Sequence, residues 1–437
     1  MNRTFFIFML WSVVLWACHG TEKGTLSTSA LMQSDSCRMD AQNKYEVYLS
    51  KRSRGDEKLP LLIILDAHGD GRFALKQFIS AANQYHFLLA ASDCVKNDVP
   101  NYLTLIETLL QDVQQKYPVN QEVFLTGFSG GARMALGFAL THRVDGLLMC
   151  GALANSEQLE ALHVPVISIS GTDDFNFMET AQYLFPIDGM PANLKIVLTH
   201  DMHQWPDSLL LSNEIGFLRF SNMPNDRLSF SKRAVLRYEL KQEAWLDSLV
   251  RQGDFVSAVL TAHNMISTAP FDTIIFFSRA YRSLVANQAF QNDLNQLRQS
   301  LTDENNQRQH YLNAFDTQDE TWWKGQIERL NQQIQTAKNR WTRDMYVRLK
   351  AFLGIACYSM AQQAVMAHDD VALSNILPIY RMLEPHNPDM LYFSAFIPYH
   401  KGDYAATVRF LKQALKAGYS DRKQLQRDFP ALQDQWH

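Results

Sequence analysis

Short apolar runs of strand length alternate with helical stretches between residues 45 and 221. The runs lie at 45–49, 61–66, 87–92, 122–127, 146–153, 165–170 and 194–199, and stretches such as 102–116, 130–141 and 178–184 separate most of them. Continuous apolar strands separated by amphipathic helices are typical of a mostly parallel sheet covered on both faces. The sequence therefore predicts an α/β fold here, with binding residues at the carboxyl ends of the strands.

Length and composition limit what the rest of the chain can be. With 437 residues the chain is too long for one compact core, so we expect two domains. A hydrophobic content of 46% and a charged content of 20% are ordinary for a folded soluble protein. The net charge of −4 gives no electrostatic reason to expect a nucleic-acid partner.

The amino terminus has the pattern of an export signal. A basic start at Arg3 precedes an apolar run at 4–15 that is too short for a permanent membrane span. The run ends in Leu15-Trp16-Ala17-Cys18, which resembles a bacterial lipobox, although Trp16 stands where a small residue is usual. We therefore predict a signal peptide at 1–17, a lipidated Cys18 and a flexible tether at 18–40. The resemblance implies a lipid anchor in a bacterial cell envelope, facing the periplasm or the exterior.

Four further cysteines bear on the redox state of an exported protein. Cys150 and Cys357 lie in apolar surroundings and are predicted to be buried. Cys37 and Cys94 lie in more polar, loop-like surroundings, and a disulfide between them is open. No pair has C-x-x-C spacing, and the histidines are not grouped for zinc, so no metal site is predicted.

The loop after the run 122–127 carries the sharpest chemical signal. Gly127-Phe128-Ser129-Gly130-Gly131 matches G-x-S-x-G between an apolar strand and a helix. Larger side chains at the two outer glycines would clash in so tight a turn, which strains the serine and exposes its hydroxyl. Ser129 is therefore the predicted nucleophile, and the start of the next helix faces any developing oxyanion.

A nucleophilic serine needs an acid on the loop after a later strand. The run 165–170 leads into Gly171-Thr172-Asp173-Asp174. This resembles the hydrolase pattern of a strand, then Gly, two residues and Asp, which favours Asp174. Asp173 stays open as the alternative.

A base is expected after the last strand. The run 194–199 leads into His200-Asp201-Met202-His203-Gln204-Trp205-Pro206. We favour His203 because His-x-Trp-Pro recurs in related secreted esterases, whereas His200 ends the strand directly and is explained as a structural residue. The order Ser129, Asp174, His203 is the order of nucleophile, acid and base in α/β-hydrolases.

The remaining part of such a site is an oxyanion hole. The run 61–66 leads into Asp66-Ala67-His68-Gly69-Asp70, which resembles the His-Gly motif after the third strand of many α/β-hydrolases. In those proteins the backbone N–H after His-Gly joins the N–H after the nucleophile. The resemblance implies Asp70, or else Gly69, together with Gly130 as donors, each worth on the order of 3 kcal/mol to the tetrahedral intermediate.

Taken together, residues 41–221 resemble the α/β-hydrolase superfamily. The nearest branch is that of compact secreted esterases related to poly(3-hydroxybutyrate) depolymerases, feruloyl esterases and dienelactone hydrolase. The resemblance implies cleavage of an ester-containing small molecule or polymer through an acyl-serine, with no metal or organic cofactor. A serine peptidase or thioesterase is the runner-up, because the same three residues serve all three reactions.

Residues 226–437 have a different character, with long helical periodicity and many Gln, Asn, Arg and Leu residues. Three stretches beginning at Gly253, His368 and Gly402 resemble parts of a tetratricopeptide repeat, although their spacing is irregular and Pro398 interrupts a helix. We predict a helical-repeat domain, which can recruit a protein partner or act as a scaffold with the hydrolase secondary. Since no lid-sized insertion is present before it, we expect part of it, such as 291–340, to overhang the site.

Overall fold

A computed structural model describes residues 31–50, 58–185, 187–221, 228–267, 274–432 and 435–436. The predicted signal peptide, Cys18, the first part of the predicted tether and the link at 222–227 lie outside these described residues.

Eight strands form one sheet in the described part of the chain. Two neighbouring pairs at one edge are antiparallel, and the other five pairs are parallel. The strands lie side by side in the order β1-β2-β4-β3-β5-β6-β7-β8. Each of the seven apolar runs predicted to be strands coincides with one of them. They are β1 (Leu31–Ser36), β2 (Lys44–Leu49), β3 (Leu59–Leu65), β4 (Leu88–Ser92), β5 (Val119–Phe128), β6 (Gly146–Cys150), β7 (Val166–Gly171) and β8 (Leu194–Thr199).

Helices connect the parallel strands and then continue as an all-helical region. The fold class is the predicted one, an α/β arrangement with a doubly wound, mostly parallel sheet, followed by an all-helical region. None of the described helices combines the length and apolar character needed to cross a membrane. The helices beside the sheet are α1 (Gly71–Gln77), α2 (Ile79–Tyr85), α3 (Tyr102–Lys116), α4 (Gly130–Ala139), α5 (Ser156–Ala161), α6 (Phe177–Ala181) and α7 (Ser208–Ser221). Those of the helical region are α8 (Leu228–Gln252), α9 (Phe255–Ser267), α10 (Ile274–Val285), α11 (Gln288–Thr317), α12 (Glu320–Thr336), α13 (Arg340–Met366), α14 (Asp370–Leu383), α15 (Pro388–Phe393), α16 (Phe396–His400), α17 (Tyr404–Ala417) and α18 (Arg422–Asp428).

Strand β1 lies inside the segment 18–40, for which the sequence predicts a flexible tether. It pairs along its whole length with β2, and Lys116 donates from α3 to the Asp35 carboxylate at 3.1 Å and to the Ser36 carbonyl at 2.6 Å. The prediction is therefore wrong for residues 31–36. A polar edge strand is held by backbone hydrogen bonds, which leave no apolar run in the sequence.

The four cysteines of the described residues are free thiols. Cys94 donates its thiol to the carbonyl of Gln42 at 3.1 Å, and Cys37 is buried, which raises the pKa of its thiol to about 12. The disulfide that the sequence left open is therefore not formed. Cys150 and Cys357 are buried, as predicted.

The first helices after the sheet share its hydrophobic core. Buried side chains from Tyr238 to Leu297 belong to the same cluster as the strands, and Trp341 of α13 joins them. A second cluster begins at Tyr311 and extends to Trp436. The division of the core therefore does not coincide with the domain boundary predicted near residues 221–226.

One helical side chain covers the free edge of the sheet. Asn264 of α9 donates its amide to the carbonyl of Ile196 in β8 at 2.7 Å and accepts from the Ile196 N–H at 3.4 Å. An amide presents the same donor and acceptor as a neighbouring strand, so this contact satisfies one backbone unit at an edge that would otherwise be open.

The three predicted repeat starts share one local structure. Gly253, His368 and Gly402 have φ values of 76°, 53° and 74°, in the left-handed region. The aspartate that follows each of them accepts a hydrogen bond from a backbone N–H in the first turn of the next helix; these are Asp254, Asp369 and Asp403. The same helix junction therefore occurs three times, while a tetratricopeptide arrangement of the pairs stays a prediction.

A buried ion pair joins β8 to the helix beside it. Lys195 Nζ lies 2.6 Å from Glu214 Oε2 in α7 and contacts the hydroxyl of the buried Tyr238 in α8. Both charged side chains are almost fully buried, and burial lowers the pKa of Lys195 although Glu214 opposes the shift. An isolated charge at this place would be costly.

We expect Glu214→Gln to lower the free energy of unfolding by about 3–5 kcal/mol, because it leaves the Lys195 ammonium without its counter-ion. Urea unfolding followed by circular dichroism measures this. The matched control is the double variant Lys195→Met/Glu214→Leu, which removes both charges and should recover most of the loss. A single variant as stable as the wild type would contradict the expectation.

Candidate active site

The turn between β5 and α4 has the geometry that G-x-S-x-G predicts. Ser129 has φ 54° and ψ −117°, a strained conformation for a residue with a side chain. A Cβ on Gly127 would lie 2.4 Å from the backbone of Gly131, and one on Gly131 would lie 2.2 Å from the carbonyl oxygen of Leu65. Both glycines are therefore required by backbone contacts, and the serine is held at the end of its strand.

The structure brings the three residues predicted as nucleophile, base and acid into one hydrogen-bonded row. His203 Nε2 lies 2.9 Å from Ser129 Oγ, and His203 Nδ1 lies 2.9 and 2.8 Å from the two carboxylate oxygens of Asp174. The three side chains come from the loops after β5, β7 and β8. Because β5 and β7 flank β6 in the sheet, these loops meet at its carboxyl edge.

Asp174 is buried and held in place by its own loop. Its carboxylate accepts the N–H of Asn176 at 2.8 Å, and the Asn176 amide donates to the carbonyl of Gly151 at 2.8 Å. Gly151 has φ 64°, and a Cβ there would lie 3.2 Å from Asp174 and 3.3 Å from His203. The acid thus has a fixed position relative to the imidazole.

Aromatic side chains enclose the imidazole while leaving one side open. The ring centroid of His203 lies 4.6 Å from that of Phe128 and 4.3 Å from that of Phe175. Trp205, of the His-x-Trp-Pro motif, donates its indole N–H to Asp66 at 2.9 Å. The His203 side chain is 21% exposed, so a substrate can reach it.

The two alternatives from the sequence have other contacts. Asp173 pairs with Arg343 at 3.0 Å, and burial together with the nearby Asp344 raises its pKa to about 7. His200 lies 3.3 Å from Asp254, and this hydrogen bond raises the pKa of the imidazole. Of the two aspartates and two histidines considered, Asp174 and His203 are the pair aligned with Ser129.

The predicted oxyanion donors are only partly supported. The N–H of Gly130 opens α4, where the first backbone donors have no partner inside the helix. The N–H of Asp70 instead points to Asp66 Oδ1 at 3.4 Å, and the N–H of Gly69 donates to the Asp66 carbonyl at 3.2 Å. Asp70 therefore does not fit this role, because the loop turns back on Asp66. Among the described residues, the N–H of Ala67 has no hydrogen-bond partner.

The helical region holds the acid loop on both sides of Asp174. Arg348 of α13 donates to the carbonyl of Thr172 at 2.5 Å, and Arg308 of α11 donates to the carbonyl of Phe175 at 2.8 Å. The Thr172 hydroxyl donates to Asp344 of α13 at 3.0 Å. The backbone that carries the acid is therefore positioned by helices that lie more than 130 residues later in the chain.

Both arginines depend on one buried carboxylate. Glu304 of α11 accepts from Arg348 Nε at 2.8 Å and from Arg308 Nη2 at 2.6 Å, and the side chains of Glu304 and Arg348 are fully buried. These residues gave no signal in the sequence, since they are ordinary members of a helical segment rich in Arg, Gln and Asn. The sequence alone does not distinguish a buried, ion-paired arginine from an exposed one.

Helix α13 crosses the carboxyl edge of the sheet above the nucleophile. Arg348 contacts the loop after β7, whereas Tyr358 and Gln362 line a cavity with Asn97 from the loop after β4. From β4 to β7 the sheet extends over four inter-strand spacings, which is about 19 Å. The fourteen residues from Arg348 to Gln362 extend about 21 Å along a helix, so α13 is long enough to reach both loops. The overhang expected from segment 291–340 is thus formed mainly by α13, which follows it, with α11 beside it.

A cavity of about 820 Å³ lies beside the loops after β3, β5 and β8. Phe128, the neighbour of Ser129, lines it with Phe73, His68 and Trp205, and Ser420 closes it from the helical region. Within the described residues, no group of three or more His, Cys, Asp or Glu side chains is placed to hold a metal ion.

Comparisons with known proteins give structural likeness only. No protein-family model matches the sequence, and no curated protein matches it. Among solved structures, Est1E from Butyrivibrio proteoclasticus is 16% identical, with 43% of this chain and 95% of that chain covered and a TM-score of 0.34. The poly(3-hydroxybutyrate) depolymerase LpqC from Bordetella parapertussis is 12% identical, with 45% and 92% covered and a TM-score of 0.33. An esterase from Pyrococcus furiosus is 12% identical, with 45% and 94% covered and a TM-score of 0.34.

We expect Arg348→Met to slow covalent labelling of Ser129 by a fluorophosphonate roughly tenfold or more, because small displacements of reacting groups cost large factors in rate. It should also destabilise the fold, since Glu304 loses a buried partner. The double variant Arg348→Met/Glu304→Gln separates the two effects, because the amide carbonyl of the new side chain can still accept from Arg308 while the buried negative charge is gone: part of the stability should recover, whereas labelling stays slow. Full recovery of labelling in the double variant would show that Arg348 does not position the acid loop.

Proposed function

We propose that this chain is a serine hydrolase that cleaves carboxylic esters. The observation that carries the proposal is the row Asp174–His203–Ser129, with 2.8–2.9 Å between successive groups, on a strained turn at the carboxyl edge of the sheet. A hydroxyl is a weak nucleophile by itself, and a hydrogen-bonded imidazole oriented by a carboxylate activates it.

In the proposed reaction, His203 takes the proton of Ser129 while the serine oxygen attacks the carbonyl carbon of the ester. The tetrahedral intermediate collapses, its carbon–oxygen bond to the alcohol breaks, and His203 protonates the departing alcohol. Water then attacks the acyl-serine by the same route and releases the acid. Asp174 keeps Nδ1 of the imidazole protonated and stabilises the imidazolium in each step.

The oxyanion of both intermediates needs backbone donors. We assign one donor to the N–H of Gly130 at the start of α4, where the helix dipole adds to the attraction. The N–H of Ala67 is the second candidate, because it lacks a partner among the described residues and its peptide adjoins the turn: the Asp66 carbonyl carbon, which is bonded to the Ala67 nitrogen, lies 3.3 Å from a Cβ placed on Gly131. It replaces the Asp70 donor that the sequence predicted.

The alternative of a helical binding module with a secondary hydrolase domain is less consistent with the contacts. A separate module would leave the acid loop alone, whereas Arg308, Arg348 and Asp344 all bond to residues 172–175. The geometry of the three catalytic candidates does not separate an esterase from a peptidase or thioesterase, because each reaction uses the same row of groups.

We expect Ser129→Ala to abolish hydrolysis of p-nitrophenyl acetate and labelling by a fluorophosphonate, while the circular dichroism spectrum stays unchanged. Removing the nucleophile of such a site costs on the order of 10⁶ in kcat. The matched control is Ser359→Ala, on an exposed face of α13, which should behave as the wild type. Labelling that persists in Ser129→Ala would assign the nucleophile to another residue.

We also propose that the protein is anchored by lipid at Cys18, on the basis of the lipobox-like sequence Leu15-Trp16-Ala17-Cys18. Two or more acyl chains hold a protein at a membrane where one binds only marginally. In a bacterial host, Cys18→Ala should move the protein from the membrane fraction to the soluble fraction, as judged by immunoblotting. Unchanged membrane association of the variant would contradict the anchor.

A further inference from the structure

The edge strand β8 leaves one backbone unit unpaired. In a parallel ladder, the N–H and carbonyl groups of alternate residues point to the same side of the strand. The N–H of Thr172 donates to the carbonyl of Thr199 at 2.8 Å, so Thr199 faces β7. Ile196 and Leu198 therefore face away from β7, and Asn264 pairs with both backbone groups of Ile196. From the described part of the chain, no group pairs with the N–H or the carbonyl of Leu198.

The unpaired unit borders a cavity of about 690 Å³ between β8 and helices α7, α8 and α9. Leu198 lines this cavity and is only 6% exposed, and a buried backbone unit without a partner is rare in folded proteins. Most of the wall is apolar, and it includes the partly exposed Trp245. An apolar wall with a few polar groups at fixed places is typical of small-molecule sites. Neither Ser129 nor His203 lines the cavity, so it is separate from the catalytic row proposed above.

The cavity exists because α9 contacts β8 only at two places and carries small side chains between them. Asn264 makes the contact at one end, and Asp254 makes the other, 3.3 Å from His200 just after β8. Ser257 and Thr261 lie between these positions and line the cavity. The hydroxyl of Thr261 donates to the carbonyl of Ser257 at 2.8 Å, within its own helix. The helix therefore supplies no partner for the strand at this level.

The charged groups on the wall leave two cations without an acidic partner. The two buried acids, Glu214 and Asp254, are already paired with basic side chains. Among the described residues, Lys241 donates only to an amide oxygen, and Arg251 makes no hydrogen bond or ion pair. Asp207, the remaining acid, accepts a backbone N–H in the first turn of α7 at 2.8 Å. A carboxylate is therefore the charged group that this wall attracts.

We propose that this cavity binds an apolar amino acid whose nitrogen is acylated and whose carboxylate is free, the group that also ends a peptide chain. In the proposed complex, the amide N–H of the ligand donates to the Leu198 carbonyl, and a carboxylate oxygen accepts from the Leu198 N–H. The ligand thereby continues the sheet beyond Asn264, with its carboxylate toward Lys241 and Arg251. Its side chain lies against the apolar wall. Binding here involves no ester hydrolysis, so the site does not depend on the function proposed above.

The test compares three probes that differ by one group. N-acetyl-L-leucine carries the amide and the carboxylate, its methyl ester lacks the charge, and 2-acetoxy-4-methylpentanoic acid of the same hand has an oxygen in place of the N–H. Calorimetric titrations use the full chain with Ser129→Ala, so that no ester probe is consumed. We expect N-acetyl-L-leucine to bind about fivefold or more tightly than either analogue, because each analogue loses one hydrogen bond or ionic contact.

A change to the cavity tests its location. Thr261→Leu fills the cavity and removes only a hydroxyl that bonds within α9, so N-acetyl-L-leucine should bind about tenfold or more weakly. The matched control is Thr302→Leu, because that hydroxyl bonds in the same way within α11 on an exposed face outside the cavity. If Thr261→Leu does not fold, as judged by circular dichroism, Lys241→Gln/Arg251→Gln replaces it. That variant should weaken binding of the acid about fivefold and leave binding of the methyl ester unchanged.

Hydrogen exchange supplies a readout at the strand itself. Saturation with N-acetyl-L-leucine should slow exchange of the Leu198 amide, because this N–H gains a partner. Tighter binding of N-acetyl-Ala-Ala-Leu than of N-acetyl-L-leucine assigns the site to peptide ends, and equal or weaker binding assigns it to free acylated amino acids; both support it. Equal affinity for the three probes, no saturation by N-acetyl-L-leucine up to about 10 mM, or unchanged affinity in the folded cavity variant would overturn the inference.

Discussion

The buried contact between Arg348 and Glu304 is the interaction on which the arrangement of the site depends. Neither side chain is exposed, so Arg348 is compensated by Glu304, and Glu304 by Arg348 and Arg308 together. Arg348 also donates to the Thr172 carbonyl, two residues before Asp174, whose carboxylate lies 2.8 Å from His203 Nδ1. The sheet that carries Ser129, Asp174 and His203 is thus completed by helices from the second half of the chain. The two buried ions therefore hold the loop that carries Asp174 in place.

Much of the fold and of the site was predictable, for reasons that particular residues illustrate. Strand β5 contains one of the short apolar runs, and the turn after it needs Gly127 and Gly131 because backbone atoms lie within 2.5 Å of any added Cβ. These steric requirements involve residues close together in the chain, so the local sequence predicts them. The places after strands left Asp173 or Asp174 and His200 or His203 open. The resemblance to hydrolases favoured Asp174 and His203, and the structure brings both to Ser129. Strand β1 was not predicted, because an edge strand held by backbone hydrogen bonds does not need an alternating pattern of apolar residues.

The residues that the sequence could not identify act through distant partners. Nothing distinguishes Arg348 from the other arginines of the helical region until α13 is placed over the sheet. The N–H of Asp70 was predicted from a motif, yet the loop direction is set by Asp66, which accepts hydrogen bonds from the N–H groups of His68 and Asp70. The backbone path of a short loop depends on such bonds, and they follow from three-dimensional contacts more than from residue order.

Helix α13 has one end over the acid loop and the other over the loop after β4. Each residue advances a helix by about 1.5 Å and turns it by about 100°. An insertion or deletion of one residue between Arg348 and Tyr358 would therefore rotate one end away from its contacts while the other stayed in place. The number of residues between these two contacts must therefore match the width of the sheet beneath the helix. Among related chains we therefore expect substitutions along α13, whereas insertions and deletions should occur only at its ends.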